Sequence, residues 1–370
     1  MDTANNIEIT VECLCKKYTF STEIPKSSLP LECSVCHCNS CRHVTGALYV
    51  IGMTWPSPKD KVNTEGLQRY QFSENLTYLF CGTCSTMVFY EKRDQPGKLG
   101  IFSGPLRNID ANLIKLTKHI YVEDTVDGGA SVWLRKPNPD NVEIPRYLQR
   151  AGEIPWTWPE ETEPQTKPEQ DSITISCHCK GVNLRLHPGN FAAQERDQIP
   201  WFIDPRNNKR LASFDACDSC RLHFANEIVH WTFTSLSHIS TADGGAYPRN
   251  MKDLKAATDA GDAAVGTLAC YQSSVDAHRY FCRVCSAAVF YACEDRPEIV
   301  DVAVGLLEGR GARAEEVLSW TFGEEPVWVD DVKGGWRDGL MKRVRRDAEE
   351  FRIGRGYEKS WRRLARESKD

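Results

Sequence analysis

The sequence predicts a mainly β chain, built as two tandem cysteine-rich units and closed by a basic helical tail. Three observations predict it. Ile7-Glu8-Ile9-Thr10-Val11 and Ser172-Ile173-Thr174-Ile175-Ser176 alternate with the period of a half-buried strand, and each runs directly into a Cys-x-Cys pair. One cysteine pattern is written twice. Residues from Trp336 onward change character, becoming Arg-rich with helical spacing (Arg343, Arg345, Arg346, Arg362, Arg363, Arg366).

The first writing, in residues 1–135, is Cys13-x-Cys15, then Cys36-His37-Cys38-x-x-Cys41-Arg42, then Phe80-Cys81-x-x-Cys84. The second, in residues 172–335, is Cys177-x-Cys179, then Asp215-Ala216-Cys217-x-x-Cys220-Arg221, then Phe281-Cys282-x-x-Cys285. The match extends beyond cysteine. Tyr70-Gln71-x-Ser73 through Val88-Phe89-Tyr90 aligns without a gap on Tyr271-Gln272-x-Ser274 through Val289-Phe290-Tyr291, which implies tandem duplication. Thr86–Tyr90 and Ala287–Tyr291 read as strands.

Between the copies, residues 136–171 are rich in Pro, Glu and Thr and read as an extended linker, with Trp156 and Trp158 as anchors. The second copy carries two insertions, one between Cys179 and Asp215 and one around Thr241–Ala264. The latter holds a short helix over Asn250–Ala260, and forms either a lid or interdomain contact or a solvated loop. The tail, residues 336–370, reads as an amphipathic helix packed on the second unit, with contact to acidic partners as the alternative.

Composition narrows the function classes. The 370 residues are 41% apolar and 10% aromatic, enough for buried cores. A net charge of -5 argues against a dedicated nucleic-acid binder. The polar start, Met1–Thr10, lacks a secretory apolar run, and no stretch is apolar enough to span a membrane, so a cytoplasmic setting is expected. In that setting sixteen cysteines at x and x-x spacings hold metal rather than disulfides.

Each outer set, Cys13, Cys15, Cys81 and Cys84 or Cys177, Cys179, Cys282 and Cys285, supplies the four thiolates of a closed structural zinc. Each would close a long loop and stabilise the fold. Cys36, Cys38 and Cys41 supply three, leaving a fourth position of catalytic type. Cys33 is the residue able to close that set, and His37 reads equally as a surface residue or an acid–base group. In the second copy Asp215 faces Cys36. With Cys217 and Cys220 it forms either a fourth, chemically distinct zinc site that activates water, or a decayed site kept for packing. Cys270 and Cys293 have no counterparts and read as free buried thiols.

This order of motifs, continued by Gly46-Ala47 and by His119-Ile120-Tyr121-Val122-Glu123-Asp124, resembles the glutathione-dependent formaldehyde-activating enzyme family. The resemblance covers about Ile7–Trp133 and, more weakly, Ile173–Asp331. It implies twisted antiparallel sheets of β-tent type, structural zinc at the outer cysteines and catalytic zinc at Cys36, Cys38 and Cys41. It further implies carbon–sulfur bond chemistry with glutathione as the thiol, and His119 or Glu123 as proton donors. Lys16 and Ser85 depart from the family, standing where it usually has glycine. In the second copy Ala225-Asn226, Trp320, and Glu324 with Glu325 stand opposite Gly46-Ala47, His119, and Glu123 with Asp124.

The leading function is thus a zinc-dependent carbon–sulfur lyase acting on a thiol adduct or small carbonyl compound. The alternatives are a zinc-dependent tailoring enzyme (hydrolysis, dehydration or decarboxylation) for a larger molecule, and a non-catalytic zinc scaffold that binds a partner. Tandem copies are expected to pack as a pseudo-dimer.

Overall fold

The computed structural model describes residues 5–159, 172–191, 194–195 and 197–368. The chain is mainly β. In the first half, Asn6–Glu12 and Thr19–Pro25 form a small antiparallel sheet. A nine-stranded sheet follows in the order Glu153–Ile154, Arg146–Tyr147, Ile114–Ile120, Leu31–Cys36, Val50–Thr54, Leu99–Phe102, Met87–Lys92, Leu76–Phe80, Gln68–Ser73. The second half has a three-stranded sheet, Ile173–Ser176, Asn183–Leu186 and Ile239–Thr241. Its seven-stranded sheet runs Leu318–Trp320, Arg210–Asp215, Val229–Ser235, Ile299–Ala303, Ala288–Cys293, Ala277–Cys282, Leu268–Ser274.

The two large sheets agree in register as well as in order. Cys36 pairs with Val50 as Asp215 pairs with Val229, and Tyr70 pairs with Tyr78 as Tyr271 pairs with Arg279. Even the bulges coincide, at Gln71/Ser73 and Gln272/Ser274.

Neither large sheet is purely antiparallel, as the family resemblance had implied. The strand ending at the middle motif pairs in parallel with a late strand, Leu31–Cys36 with Ile114–Ile120 and Arg210–Asp215 with Leu318–Trp320. A parallel pair needs a long crossover, and here the whole cysteine hairpin lies within that connection.

Residues 136–159 are not free linker. Arg146 pairs in parallel with His119 and, with Glu153–Ile154, extends the sheet. The Arg146 guanidinium sits 4.7 Å over the Trp156 ring. Residues 160–171, the rest of the expected linker, lie outside the described residues.

Helices flank the sheets. Helix α1 (Asn39–Thr45) and α2 (Asp218–Phe224) follow the two middle motifs. Helix α3 (Met251–Ala260) lies in the second insertion, where the Asn250 side chain accepts the Asp253 N–H at 2.9 Å. It buries Met251 and Leu254 on its own half, a packed element rather than a solvated loop. Helix α4 (Trp336–Gly354) is the tail, and it seats on both halves rather than on the second alone. Arg337 donates to Ser103 O at 2.9 Å and Leu106 O at 2.8 Å while pairing with Glu227. Arg343 donates to Pro137 O at 2.6 Å.

Between the halves lies an aromatic core: Tyr49 and Trp133 from the first, Phe214, His230, Trp320 and Phe322 from the second, all buried. No described helix is long and apolar enough to cross a membrane.

Candidate metal centres

The four outer cysteines of each half converge. Cys13, Cys15, Cys81 and Cys84 have all sulfurs within 4.8 Å of one another, as do Cys177, Cys179, Cys282 and Cys285. Adjacent sulfurs stand 3.6 Å apart for Cys13–Cys15 and Cys15–Cys81, and 3.6 and 3.4 Å apart for Cys177–Cys179 and Cys179–Cys282. A zinc with bonds of about 2.3 Å sets a tetrahedral edge of about 3.8 Å, so both sets fit that ion.

A tight turn closes each of the four outer cysteine pairs, its bond reaching back three residues at the two Cys-x-Cys pairs and four at the two Cys-x-x-Cys pairs. The amides of Lys16, Ser85, Lys180 and Ser286 each donate at 2.9 Å to the carbonyl of the first cysteine of their pair. All four residues have positive φ, at 59, 64, 62 and 72°. This is the backbone region glycine enters most freely, and Lys16 and Ser85 are the positions where the resembled family usually has glycine.

Cys36 ends its strand, Cys38 is the N-cap of α1, and Cys41 lies in its first turn. Their sulfurs are also mutually within 4.8 Å, with Cys36–Cys38 at 3.5 Å, and the Cys41 amide donates to Cys38 Sγ at 3.3 Å. Cys33 does not join them. Its thiol, pushed up by burial, donates to Lys115 O at 3.2 Å. The nearest hydroxyl belongs to Tyr78, whose Oη is 3.7 Å from Cys41 Sγ. Its ring is stacked on Phe72 at 4.5 Å.

His37 is fully buried rather than superficial. His119 is equally buried, and burial pushes its imidazole down to about 3. Its Nε2 bonds Leu134 O at 3.1 Å, so its Nδ1 accepts from His37 Nε2 at 2.9 Å. Both ring nitrogens of His119 are therefore engaged within the fold. Glu123 is half-buried in a single turn after the strand, and its neighbour Asp124 accepts the Asn39 N–H at 3.0 Å at the start of α1.

In the second half Asp215, Cys217 and Cys220 also place their ligand atoms within 4.8 Å. Asp215 Oδ1 accepts the Cys217 N–H at 2.7 Å, and Oδ2 is 3.8 Å from Cys220 Sγ. Burial pushes the Asp215 carboxyl up to about 7, whereas a hydrogen bond from Cys220 holds the Cys217 thiol down to about 6. Here a guanidinium bonds a sulfur of the cluster directly, Arg279 Nη1 donating to Cys220 Sγ at 3.3 Å, whereas at the first cluster Arg42 acts on Cys38 through its charge.

Sequence reasoning grouped all four clusters but overlooked Tyr78 and Arg279, the residues that differ most in charge beside the two middle motifs. The ungapped match of Tyr70–Tyr90 on Tyr271–Tyr291 contained the signal, because these two occupy one position in it. It also overlooked two crossings between halves. Tyr70 Oη bonds Nδ1 of His178, inside the Cys177-x-Cys179 turn, at 2.6 Å. Correspondingly, burial and then the charge of Cys15 and Cys84 push the Tyr271 hydroxyl up.

The family model of the glutathione-dependent formaldehyde-activating enzyme matches residues 8–124. No protein of curated function matches the chain. A crystal structure of a Rhodobacter sphaeroides protein is similar at 20% identity over 40% of this chain and 99% of its own, with a TM-score of 0.24. The similarity to the glutathione-dependent formaldehyde-activating enzyme family thus lies within the first half of the chain.

Proposed function

We propose that the chain is a zinc-dependent enzyme of carbon–sulfur lyase type, acting on a thiol adduct with glutathione as the thiol class. The observation that carries this reading is the Cys36, Cys38 and Cys41 cluster, which brings three sulfurs together while Cys33 turns away to Lys115 O. A zinc bound there supplies a Lewis acid and a seat for an exogenous thiolate. The chain's own residues set up that seat. The Cys41 amide fixes Cys38 Sγ, and Tyr78 Oη stands against Cys41. A cavity of about 410 Å³ beside α1 is lined from the first half by Asn39, Arg42 and Asp124 and from the second by His178 and Lys180. Its lining mixes charge, with Arg42 on one side and Lys180 paired with Glu308 at 2.7 Å on the other, and Arg42 can meet a carboxylate of a glutathione adduct.

The outer clusters serve as structural zincs in this reading. The halves are duplicated copies packed about a pseudo-two-fold axis, which the shared strand order and the paired Tyr70 and Tyr271 crossings support. His119, sealed and doubly bonded, acts by holding His37 and the end of the strand rather than by giving up a proton.

The test is formation of the hydroxymethyl adduct from formaldehyde and glutathione, followed by NMR, in wild type and Cys38→Ser. The variant is expected to lose turnover and one zinc while keeping its circular dichroism. Unchanged turnover would sink the assignment.

A further inference from the structure

The second middle cluster differs from the first by two linked replacements. Asp215 stands for Cys36, and Arg279 stands for Tyr78 at the same register of the same hairpin. Arg279 is only 3% exposed and held on several sides. Its Nη1 donates to Cys220 Sγ at 3.3 Å, its Nε donates to Ser273 Oγ at 3.0 Å, and its guanidinium lies 5.2 Å over the Tyr291 ring. A fixed cation thus already pairs with one of the three ligand groups of this cluster. A dication added there would have to share Cys220 Sγ with a guanidinium held in place by Ser273 and the Tyr291 ring. The first cluster has a neutral hydroxyl in that place.

Without a metal, Cys217-x-x-Cys220 is a pair of free thiols with sulfurs within 4.8 Å. Cys217 is half-buried and Cys220 is buried. The Asp215 carboxylate reaches both, accepting the Cys217 amide with Oδ1 and lying 3.8 Å from Cys220 Sγ with Oδ2. We propose that Cys217 and Cys220 are a metal-free, redox-active dithiol in which Arg279, at the position of Tyr78, supplies positive charge in place of a zinc, and that they exchange with low-molecular-weight disulfides. The thiolate of Cys217 attacks one sulfur of the small disulfide, forming a mixed disulfide and releasing one thiol. Cys220 passes its proton to Asp215, attacks the Cys217 sulfur and expels the second thiol. Asp215 hands that proton to the departing thiolate, so the protein gives up two protons and two electrons in all, and the small disulfide becomes two thiols.

The experiment uses the full chain, purified reduced and zinc-loaded, as wild type, Cys217→Ser and the double variant Asp215→Cys/Arg279→Tyr. Zinc per chain is counted. Each protein is then incubated with oxidised glutathione, and the tryptic peptide Leu211–Arg221 is weighed. The expected results are equal zinc in wild type and Cys217→Ser, and a wild-type peptide lighter by two hydrogens. The double variant, which recreates the first cluster's set, should gain one zinc and have its peptide protected. Loss of one zinc in Cys217→Ser would overturn the proposal, as would a wild-type peptide that stays reduced. A double variant that gains no zinc would remove Arg279 from the explanation and overturn it too.

Discussion

The amide of Gly305 donates to the carbonyl of Gly46 at 2.9 Å, joining the second half to the C-cap of α1 in the first. The reciprocal bond runs from the Gly104 amide to the carbonyl of Ala225, the C-cap of α2, at 3.2 Å. At these crossings the two backbones are too close for a side chain between them. A Cβ on Gly305 would lie 2.3 Å from Ala47 O, and one on Gly104 would lie 2.1 Å from the Ala225 carbonyl carbon. The obstacle is backbone in both cases, so it cannot rotate aside.

Gly305→Ala should therefore push the halves apart at this point. The expected cost is about 1–3 kcal/mol, the range for overpacking a filled interior, read as a lower urea midpoint. Gly97→Ala, at a position with nothing within 4 Å of the added carbon, serves as the control. Equal midpoints for the two variants would show that the close approach does not matter to stability.

Arg337 and Glu227 form an ion pair in which both side chains are wholly buried. The guanidinium also caps carbonyls of Ser103 and Leu106, so one tail residue ties α4 to both halves. Removing one member strands a buried charge, which typically costs about 3–5 kcal/mol. Arg337→Met should lose about that much in urea unfolding, and Arg337→Met/Glu227→Met should recover part of it. A single variant as stable as wild type would mean that water reaches Glu227.

How much of the fold and of the metal centres is legible in the sequence depends on the type of signal each feature leaves. The metal clusters are legible because thiolate ligation fixes spacing, and Cys13-x-Cys15 or Cys81-x-x-Cys84 can be read without knowing the fold. The capped helix after Asn250 is legible for the same local reason. The parallel pairing of Leu31–Cys36 with Ile114–Ile120 is not, since neither strand's pattern records its partner's direction. Nor is the burial of His37, which depends on His119 from a distant strand. Arg337 reads as one more arginine in a basic tail, and only the meeting of three segments around it makes it an interior residue.

Lys16 is exposed, has φ of 59° and directly follows Cys15 in the first cysteine turn. Its side chain is not what holds the turn; the backbone bond to Cys13 O is. A β-branched residue tolerates this conformation poorly. Lys16→Val should cost about 1–2 kcal/mol and ease zinc release to a chelator, whereas Lys16→Gly should be close to neutral. If valine and glycine released zinc at the same rate, the turn's backbone would not be what shapes the cluster.

His230 carries a pH dependence of definite sign. It is fully buried among the rings of Tyr49, Trp133, Phe214 and Trp320, and neither ring nitrogen has a hydrogen-bond partner among the described residues. Burial alone pushes its imidazole down to about 3. Above about pH 6.5 the ring is neutral in both the folded and the unfolded chain and contributes no slope. As pH falls below that, the unfolded chain takes up a proton that the folded chain refuses. Stability is then lost, at up to about 1.4 kcal/mol per pH unit from this one group, until the folded ring titrates near 3. His119 and His223, also held down to about 3 by burial, add slope of the same sign, and protonation of metal-bound thiolates adds more. The informative quantity is therefore a difference. His230→Phe keeps a ring in the aromatic core and removes one proton site. Urea midpoints at pH 7 and pH 5 should drop less in the variant than in wild type. Equal drops would mean that His230 is protonated while folded, and that the interface between the halves admits a charge.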